Sequence, residues 1–542
     1  MPATPTSTTR SADAPLGALD RFFEISRRGS TIGGEIRGGL VTFVTMAYIV
    51  ILNPIILSGK ADIVGNELAF SAVGAATALT AGVMTILFGL VTRLPFAFAA
   101  GLGINAFLAF SVIHEVTWPE AMALVMINGI IIVLLAATGL RKLIFDAVPV
   151  QLKLAITVAI GLFIAFIGFV NSGFVTATGS NSPPVGLGIG GSVASIPTLM
   201  FVLTLLVTGV LVARKVKGGM LIGLVGGTVV SVIVEAIWHL GSATDHPGGW
   251  GLTIPALTGS PVSIPDLSLL GAVDFGFDIG KVGIVALIML VFTLVFSNFF
   301  DAMGTMTGLA KEAGLADEKG DFPRITSALV VEGVGAVVGG ATSSSSATVF
   351  IESGSGIGEG ARTGLANVVT GVVFLLAMFF TPLTSIVPTE VAAAALVIVG
   401  AMMMAQVKHI DLSDFSVLLP VFLTVSVMPM TYSIANGIGT GFISWVVVRS
   451  LSGKARQISP LLWVVAVGFL ISFARGPIQS LLGACPAPPP ASRYVPREPP
   501  RPFVAARRIR SGSARGQMER GGGCRGIHPL SRGERQSVRA SR

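Results

Sequence analysis

Residues 292–308 read FTLVFSNFFDAMGTMTG and place one aspartate, Asp301, in a segment otherwise apolar enough to lie in a lipid bilayer. A carboxylate near the middle of a membrane helix costs about 2.5–3.5 kcal/mol even on lenient insertion scales. Such a residue normally faces a protein interior or a watery cavity, so we expect Asp301 to have a function.

A second acid follows about fifty positions later, in residues 341–360, ATSSSSATVFIESGSGIGEG. Here Glu352 is surrounded by Ser, Thr and Gly rather than by helix-forming apolar residues. Non-helical backbone at membrane depth is tolerated only where it lines a cavity or is buried in protein. Two such acids beside interrupted helices predict a binding site for a polar solute, although Glu352 at an interfacial helix end remains an alternative.

The composition indicates an integral membrane protein. The 542 residues are 52% hydrophobic and 12% charged, against roughly 25% charged residues in an average soluble domain. Many separate apolar runs of about twenty residues each suffice to cross the hydrocarbon core. We therefore expect an all-α polytopic membrane protein.

The charge distribution argues against nucleic acid as a partner. The net charge is +8, but residues 483–542 contain thirteen Arg, no Lys and three Glu, which leaves the remainder slightly acidic. This tail reads as a disordered basic segment. It is either sequence translated out of its natural frame or a genuine tail that contacts anionic lipid.

The apolar runs predict fourteen transmembrane segments. Lys and Arg concentrate before the first span and in alternate loops, which predicts a cytoplasmic N-terminus in the cytoplasmic (inner) membrane. The predicted spans are 36–57, 68–91, 95–113, 119–139, 149–170, 196–213, 219–240, 282–306, 325–341, 345–360, 362–381, 388–405, 412–429 and 434–450.

These spans divide the chain into six parts. They are a cytoplasmic N-terminus with an interfacial amphipathic segment (1–34), a first seven-span repeat (35–240), an external linker (241–280), a second seven-span repeat (281–450), an extra hydrophobic segment of unassigned depth (451–482) and the basic tail (483–542).

A faint internal repeat supports this division. AITVAIGLF at 155–163 aligns with ALVIVGAM at 395–402 and brings Gly161 onto Gly400, and 128–140 resembles 370–383 after a small gap. Chance could produce either match alone. Because seven is odd, the two halves would be inverted relative to each other, as in many secondary transporters.

The third and tenth spans are the interrupted ones. Pro95 and the glycines of PFAFAAGLGINAFLAF, 95–110, predict an extended piece at 96–100 and a half-helix from about 103. The hydroxyl-rich run 343–349 predicts a second extended piece. Asn105 is a candidate substrate-binding residue, or else it cross-links two helices.

Three further acids lie near span ends, where snorkelling explains them: Glu235, Glu332 and Glu390.

Several motifs resemble one family. They are GGEIRGGLVTFVTMAYIVILNPIIL (33–57), AGLGINAFLAF (100–110), FFDAMGTMTGLA (299–310), VFIESGSGIGEGARTGLANVV (349–369) and MPMTYSIANGIGTGFISWVV (428–447). Together they resemble the AzgA-like purine permeases of the nucleobase–cation symporter family, in the nucleobase-ascorbate transporter superfamily. The resemblance implies a purine importer coupled to protons, with sodium less favoured, and no enzyme or cofactor. It also implies a core of spans 1–4 and 8–11, a gate of spans 5–7 and 12–14, and a base pocket between spans 3, 8 and 10.

Carried onto this sequence, the resemblance implies that the family's acids fall on Asp301 and Glu352. These two are the proton-coupling candidates, and no metal ligand is expected. The family usually has Pro where this chain has Ala100, Thr where it has Ala302, Tyr where it has Phe350, and a ninth-span Asp where it has Glu332. The predicted substrate-binding residues are Asp301, Glu352, Asn105, Phe98, Ala99, Phe350 and Ile351.

Two other functions compete with nucleobase import. A transporter of the same fold for another nucleobase or a small anion is one alternative, and two acids in spans expected to lack Lys and Arg argue against the anion. An intramembrane aspartyl hydrolase needs paired aspartates, but Asp301 follows two Phe residues and its companion is a glutamate. The sequence leaves open which purine is carried and whether the chain acts as a monomer or a homodimer.

Overall fold

The computed structural model describes residues 17–139, 148–179, 183–188, 191–193, 195–246, 248–251, 253–256, 260–278, 283–316 and 322–474. The predicted tail at 483–542 lies outside these residues. The helices are α1 (Ala18–Phe23), α2 (Ile32–Met46), α3 (Ile49–Leu57), α4 (Phe70–Thr92), α5 (Leu102–Phe110), α6 (Trp118–Ala137), α7 (Val150–Asn171), α8 (Ile196–Ala213), α9 (Gly219–Trp238), α10 (Ile284–Glu312), α11 (Ile325–Ala341), α12 (Ser353–Gly358), α13 (Gly364–Ala377), α14 (Thr389–Met404), α15 (Phe415–Met430), α16 (Ile434–Arg449) and α17 (Pro460–Phe473).

Four short strands and several 3-10 helices, of which Met378–Ile386 is nine residues long, accompany these α-helices. β1 (Phe98–Ala100) pairs antiparallel with β4 (Ala347–Val349), and β2 (Val175–Ala177) pairs antiparallel with β3 (Val185–Leu187). The first pair occupies the predicted interruptions of the third and tenth spans, so that prediction is confirmed. The second pair forms a hairpin in a loop for which the sequence predicted no strands.

Ten helical segments in the described part of the chain are long and apolar enough to cross a membrane, and four shorter apolar helices accompany them. The all-α polytopic class is therefore confirmed. Helix length alone does not establish fourteen spans, because the predicted tenth span contains only β4 and the six-residue α12.

The helices pack in two groups. The core group contains α2–α6 and α10–α13, in which α4 packs on α13 and α6 packs on α11. The gate group contains α7–α9 and α14–α16, in which α7 packs on α14 and α15, and α8 packs on α14. α4 and α13 correspond to predicted spans 2 and 11. Their counterparts, seven spans away, are α11 (span 9) and α6 (span 4). The α4–α13 and α11–α6 contacts are therefore equivalent, which is the pattern of two inverted repeats.

Close backbone contacts between equivalent glycines support the same symmetry. A Cβ atom built on Gly161 would lie 2.8 Å from the carbonyl oxygen of Gly400, and one built on Gly400 would lie 2.4 Å from that of Gly161. Gly161 and Gly400 are the residues that the repeat alignment superposes. They therefore contact each other where the two halves meet, and only glycine permits this approach.

The N-terminal segment holds together one end of the core group. The Arg28 guanidinium donates to the carbonyl oxygens of Arg93, at 2.7 Å, and Arg362, at 3.3 Å. The Glu35 carboxylate accepts from the backbone N–H of Arg362, at 2.9 Å. Arg93 precedes β1 and Arg362 follows α12, so these contacts tie the two interrupted spans at the same end of the bundle.

The structure gives the extra hydrophobic segment a position and divides the first predicted span into two helices. α17 packs on α10 and α16, which gives the run at 459–474 a definite place beside both groups. The first span is divided at Ala47 and Tyr48 into α2 and α3, although both residues keep helical backbone angles. Tyr48, at this division, is buried.

Candidate functional site

The crossing of β1 and β4 forms the floor of the site. Phe98 pairs with Val349, and Ala100 pairs with Ala347. The ladder continues at both ends, because the N–H of Gly101 donates to Ser346 O at 2.8 Å and the N–H of Phe350 donates to Ala97 O at 2.9 Å. The two interrupted spans thus satisfy each other's backbone groups within the bundle, as membrane depth requires.

A cavity of about 200 Å³ lies against this crossing, between the core group and the gate helices α7 and α14. Its core lining comes from the start of α3, the β1–α5 and β4–α12 junctions, and α10. Its lining residues are Tyr48, Gly101, Leu102, Gly103, Thr157, Asp301, Thr305, Thr348, Val349, Phe350, Ile351, Glu352, Val399, Met402, Met403 and Gln406.

Both predicted acids line this one cavity. Asp301 reaches it from the middle of α10, and Glu352 reaches it from the turn that joins β4 to α12. The Tyr48 hydroxyl donates to Glu352 Oε1 at 2.6 Å. Both carboxylates are partly buried, and they lie beside the non-helical backbone around β4, so the cavity offers acceptor oxygens from two acids.

The start of α5 supplies the complementary groups. Leu102 and Gly103 lie in its first turn and line the cavity. Backbone N–H groups in the first turn of a helix have no acceptor within the helix, and the helix dipole makes this end positive. The cavity therefore presents carboxylate acceptors together with a helix end suited to an acceptor atom of the ligand.

Of the other predicted binding residues, two line the cavity and three do not. Phe350 and Ile351 are part of its wall. Phe98 and Ala99 are fully buried, and the Phe98 ring packs on Phe88 with 4.8 Å between centroids. Asn105 is also fully buried, and its Nδ2 donates to Asn53 Oδ1. The cross-linking alternative for Asn105 is therefore the arrangement that the structure contains.

Tyr48 is one of several lining residues that the sequence did not predict, and it contacts a predicted acid. In the sequence it is one aromatic residue within an apolar run and carries no local sign of function. Its hydroxyl meets a carboxylate 304 positions away along the chain. Only the motif that contains it, GGEIRGGLVTFVTMAYIVILNPIIL, pointed to this region.

The expectation that the spans lack Lys and Arg is wrong, because four basic residues lie within the predicted bounds: Arg37, Lys153, Arg362 and Arg449. Lys153 matters most here, because it lies beside a predicted acid. This residue lies in the first turn of α7 and lines a second, smaller cavity together with Asp301. Its ammonium group also lies 5.1 Å from the centre of the Phe300 ring.

The snorkelling interpretation of Glu332 is wrong as well. Glu332 is fully buried in α11, and its carboxyl group lies beside Thr348 and the backbone of Val349 on β4. It therefore adjoins Thr348 and Val349, the two residues of β4 that line the cavity. Glu235 does lie at a helix end, where it accepts from the N–H groups of Leu240 and Gly241.

Comparison with characterised proteins agrees with this architecture. The chain is similar to the guanine/hypoxanthine permease PbuG of Bacillus subtilis, with 38% identity over 463 residues that cover 84% of this chain and 99% of the relative. It is also similar to the adenine permease AdeP of Escherichia coli, with 35% identity over 459 residues that cover 84% of this chain and 96% of the relative.

Among solved structures, the transmembrane domain of the cyanobacterial bicarbonate transporter BicA has a similar fold. Its TM-score is 0.51 at 16% identity, and the match covers 77% of this chain and 96% of that one. Since residues 33–440 also match the sequence model of the permease family Xan_ur_permease, the chain belongs to that family of membrane transporters and is not an enzyme.

Proposed function

We propose that this protein imports a purine nucleobase across the cytoplasmic membrane together with protons. The observation that carries the proposal is that Asp301 and Glu352 line one cavity beside the β1–β4 crossing. The relatives named as guanine/hypoxanthine and adenine permeases support the choice of substrate class.

The chemistry of the cavity suits the edge of a neutral purine. Such a base presents ring N–H donors next to a carbonyl or ring-nitrogen acceptor, and ionised carboxylates only accept hydrogen bonds. Glu352 and Asp301 would accept from the ring N–H groups, and the first turn of α5 at Leu102 and Gly103 would face the acceptor. A cavity of about 200 Å³ is smaller than the roughly 300–1,000 Å³ of drug-sized sites, which favours a small ligand.

Proton coupling would use the same acids. An ionisable residue at membrane depth can form part of a proton pathway in pumps and transporters. We assign the proton to Asp301, because Glu352 already accepts from Tyr48 and is better placed to hold the ligand. The Asp301 carboxyl group would change between its protonated and ionised forms as the core group moves against the gate group. We place the N-terminus in the cytoplasm, because Lys and Arg concentrate before the first span and in the loops on that side.

An inorganic anion is a poorer substrate for this cavity. Lys153 supplies one cation near Asp301, but it lines the adjacent small cavity, whereas both carboxylates line the larger one. A bound anion would face the like charge of Glu352, and also that of Asp301 whenever Asp301 is ionised, in a medium of low dielectric constant. We therefore expect bicarbonate and chloride not to compete with the nucleobase.

Radiolabelled purine uptake into membrane vesicles, with and without an imposed pH gradient, tests the proposal. We expect saturable uptake that an inward proton gradient stimulates and that unlabelled hypoxanthine, guanine or adenine inhibits. Glu115→Gln, which neutralises an exposed acid outside the cavity, serves as the control for Glu352→Gln. Uptake that is indifferent to both proton and sodium gradients would refute symport, and inhibition by bicarbonate instead of purines would refute the substrate class.

A further inference from the structure

A buried amide network connects the two interrupted spans on the side of the crossing away from the N-terminal contacts. At its centre is Asn53 of α3, whose side chain is fully buried. Its Nδ2 donates to Thr77 Oγ1 at 2.7 Å and to the carbonyl oxygen of Ser344 at 3.0 Å. Its Oδ1 accepts from Nδ2 of Asn105. One side chain thus contacts α4, the turn before β4, and the half-helix α5.

The partners determine which way this amide points. The Thr77 hydroxyl donates to Val73 O at 2.6 Å, so it can only accept from Asn53. The Ser344 carbonyl is an acceptor as well. Both neighbours therefore require the nitrogen of Asn53, which turns its oxygen towards Asn105. It follows that Asn105 must donate through its own nitrogen.

The turn that Asn53 holds is a strained one. Ser343 and Ser345 have φ angles of 56° and 71°, in the left-handed region that glycine favours. Non-glycine residues in this region cost on the order of 1–3 kcal/mol each and persist only where the surroundings determine them. Ser344 lies between them and is held by Asn53 and, through its hydroxyl, by Thr80 at 3.0 Å. Directly after this turn come β4 and Glu352.

We propose that Asn53 is a positioning residue that sets the spacing of the two interrupted spans, and that Asn105 influences the ligand through Asn53 rather than by contact. Asn105 lies one turn into α5, whose first residues line the cavity, and Ser344 leads into the strand that carries Glu352. A change at either end of the network would displace one wall of the cavity relative to the other. The inference rests on the proposed nucleobase transport only for its uptake measurements.

A double-variant cycle tests this assignment. We expect Asn53→Leu and Asn105→Leu each to raise the KM for purine uptake by about 10-fold, because each leaves a buried polar partner unsatisfied. The rise should be equal for adenine, guanine, hypoxanthine and xanthine, so their order of competition stays unchanged. The double variant should be no worse than the worse single variant, because both changes remove the same connection. Asn66→Leu, on an exposed loop, is the matched control.

Two further measurements keep the result interpretable. Thr77→Val removes only one acceptor of Asn53 with little change in shape, so it reports on the network even if the Asn53 variant does not fold. The melting temperatures of the substrate-free variants repeat the cycle without any transport assay. Absence of purine uptake by the wild type would refute the proposed function alone, whereas additive effects of Asn53 and Asn105 on melting would refute the positioning role.

A change in the order of competing bases for Asn105→Leu would also refute it, since a residue that touches the ligand discriminates between ligands. Wild-type KM values in well-folded Asn53→Leu would do the same.

Discussion

Replacing Tyr48 with Phe removes one hydroxyl group from the wall of the cavity and nothing else. That hydroxyl donates to Glu352 Oε1 at 2.6 Å, and the Tyr48 side chain is 1% exposed. While the bond exists, it orients the carboxylate and leaves Oε2 available to a ligand. Without it, the carboxylate can rotate, and its first oxygen needs another donor.

The size of the effect follows from the bond. A hydrogen bond to a charged group contributes about 1.5–3 kcal/mol net, and ~1.4 kcal/mol corresponds to a factor of ten in an equilibrium constant. A cavity of about 200 Å³ has room for water to replace the lost donor in part. We therefore expect the lower end of the range, an increase of about 10-fold in the KM for purine uptake, with a smaller change in kcat.

The assay is concentration-dependent uptake of labelled purine by cells or vesicles with matched amounts of transporter. Tyr432→Phe is the control, because Tyr432 packs on the rings of Phe110 and Phe163, at 5.3 and 5.4 Å between centroids, rather than on Glu352. Its KM should stay within about two-fold of wild type, since it makes no charged hydrogen bond of the kind described. An unchanged KM in Tyr48→Phe would show that this hydroxyl does not orient the binding carboxylate.

Four other changes test separate parts of the structure. Glu352→Gln should abolish high-affinity purine uptake, and binding of labelled purine to purified protein at wild-type affinity would contradict this. Asp301→Asn should retain exchange of internal for external purine while losing stimulation by a pH gradient; gradient-driven accumulation by this variant would contradict its proton role. Lys217→Ala removes an ion pair with Glu359 that joins the α8–α9 loop to the end of α12, and should change kcat by less than about five-fold with KM unaltered. Gly400→Ala should lower the melting temperature, since its Cβ would lie 2.4 Å from a backbone oxygen and overpacking costs about 1–3 kcal/mol; an unchanged melting temperature would show that the two helices separate easily.

The sequence predicted the interrupted spans because their signals are local. Pro95 and the glycines after it, and the serines before Glu352, each disfavour a continuous helix over a few residues. The cost of burying Asp301 and Glu352 also depends only on their apolar surroundings. For these reasons both acids and both strands could be located without knowledge of the tertiary structure.

What the sequence did not predict depends on the direction of side chains and on pairing across the chain. Asn105 lies on a half-helix whose first turn lines the cavity, and another face of that helix meets Asn53. The position of Asn105 in the sequence does not show which of the two its side chain faces. Glu332 has polar neighbours only because β4 passes beside it. Tyr48 acquires its role from a residue in the other half of the chain. Each of these assignments requires the packing of α3, α5 and α11 around the strand pair.

Gly161 and Gly400 meet as counterparts of each other where the inverted halves join. If the halves descend from one ancestral sequence that paired with itself, a side chain gained at this position would have appeared on both sides of the contact at once. Selection against larger residues would then have acted twice on a single codon. After fusion the two codons could change independently, but a larger side chain at either one would still collide with the backbone opposite.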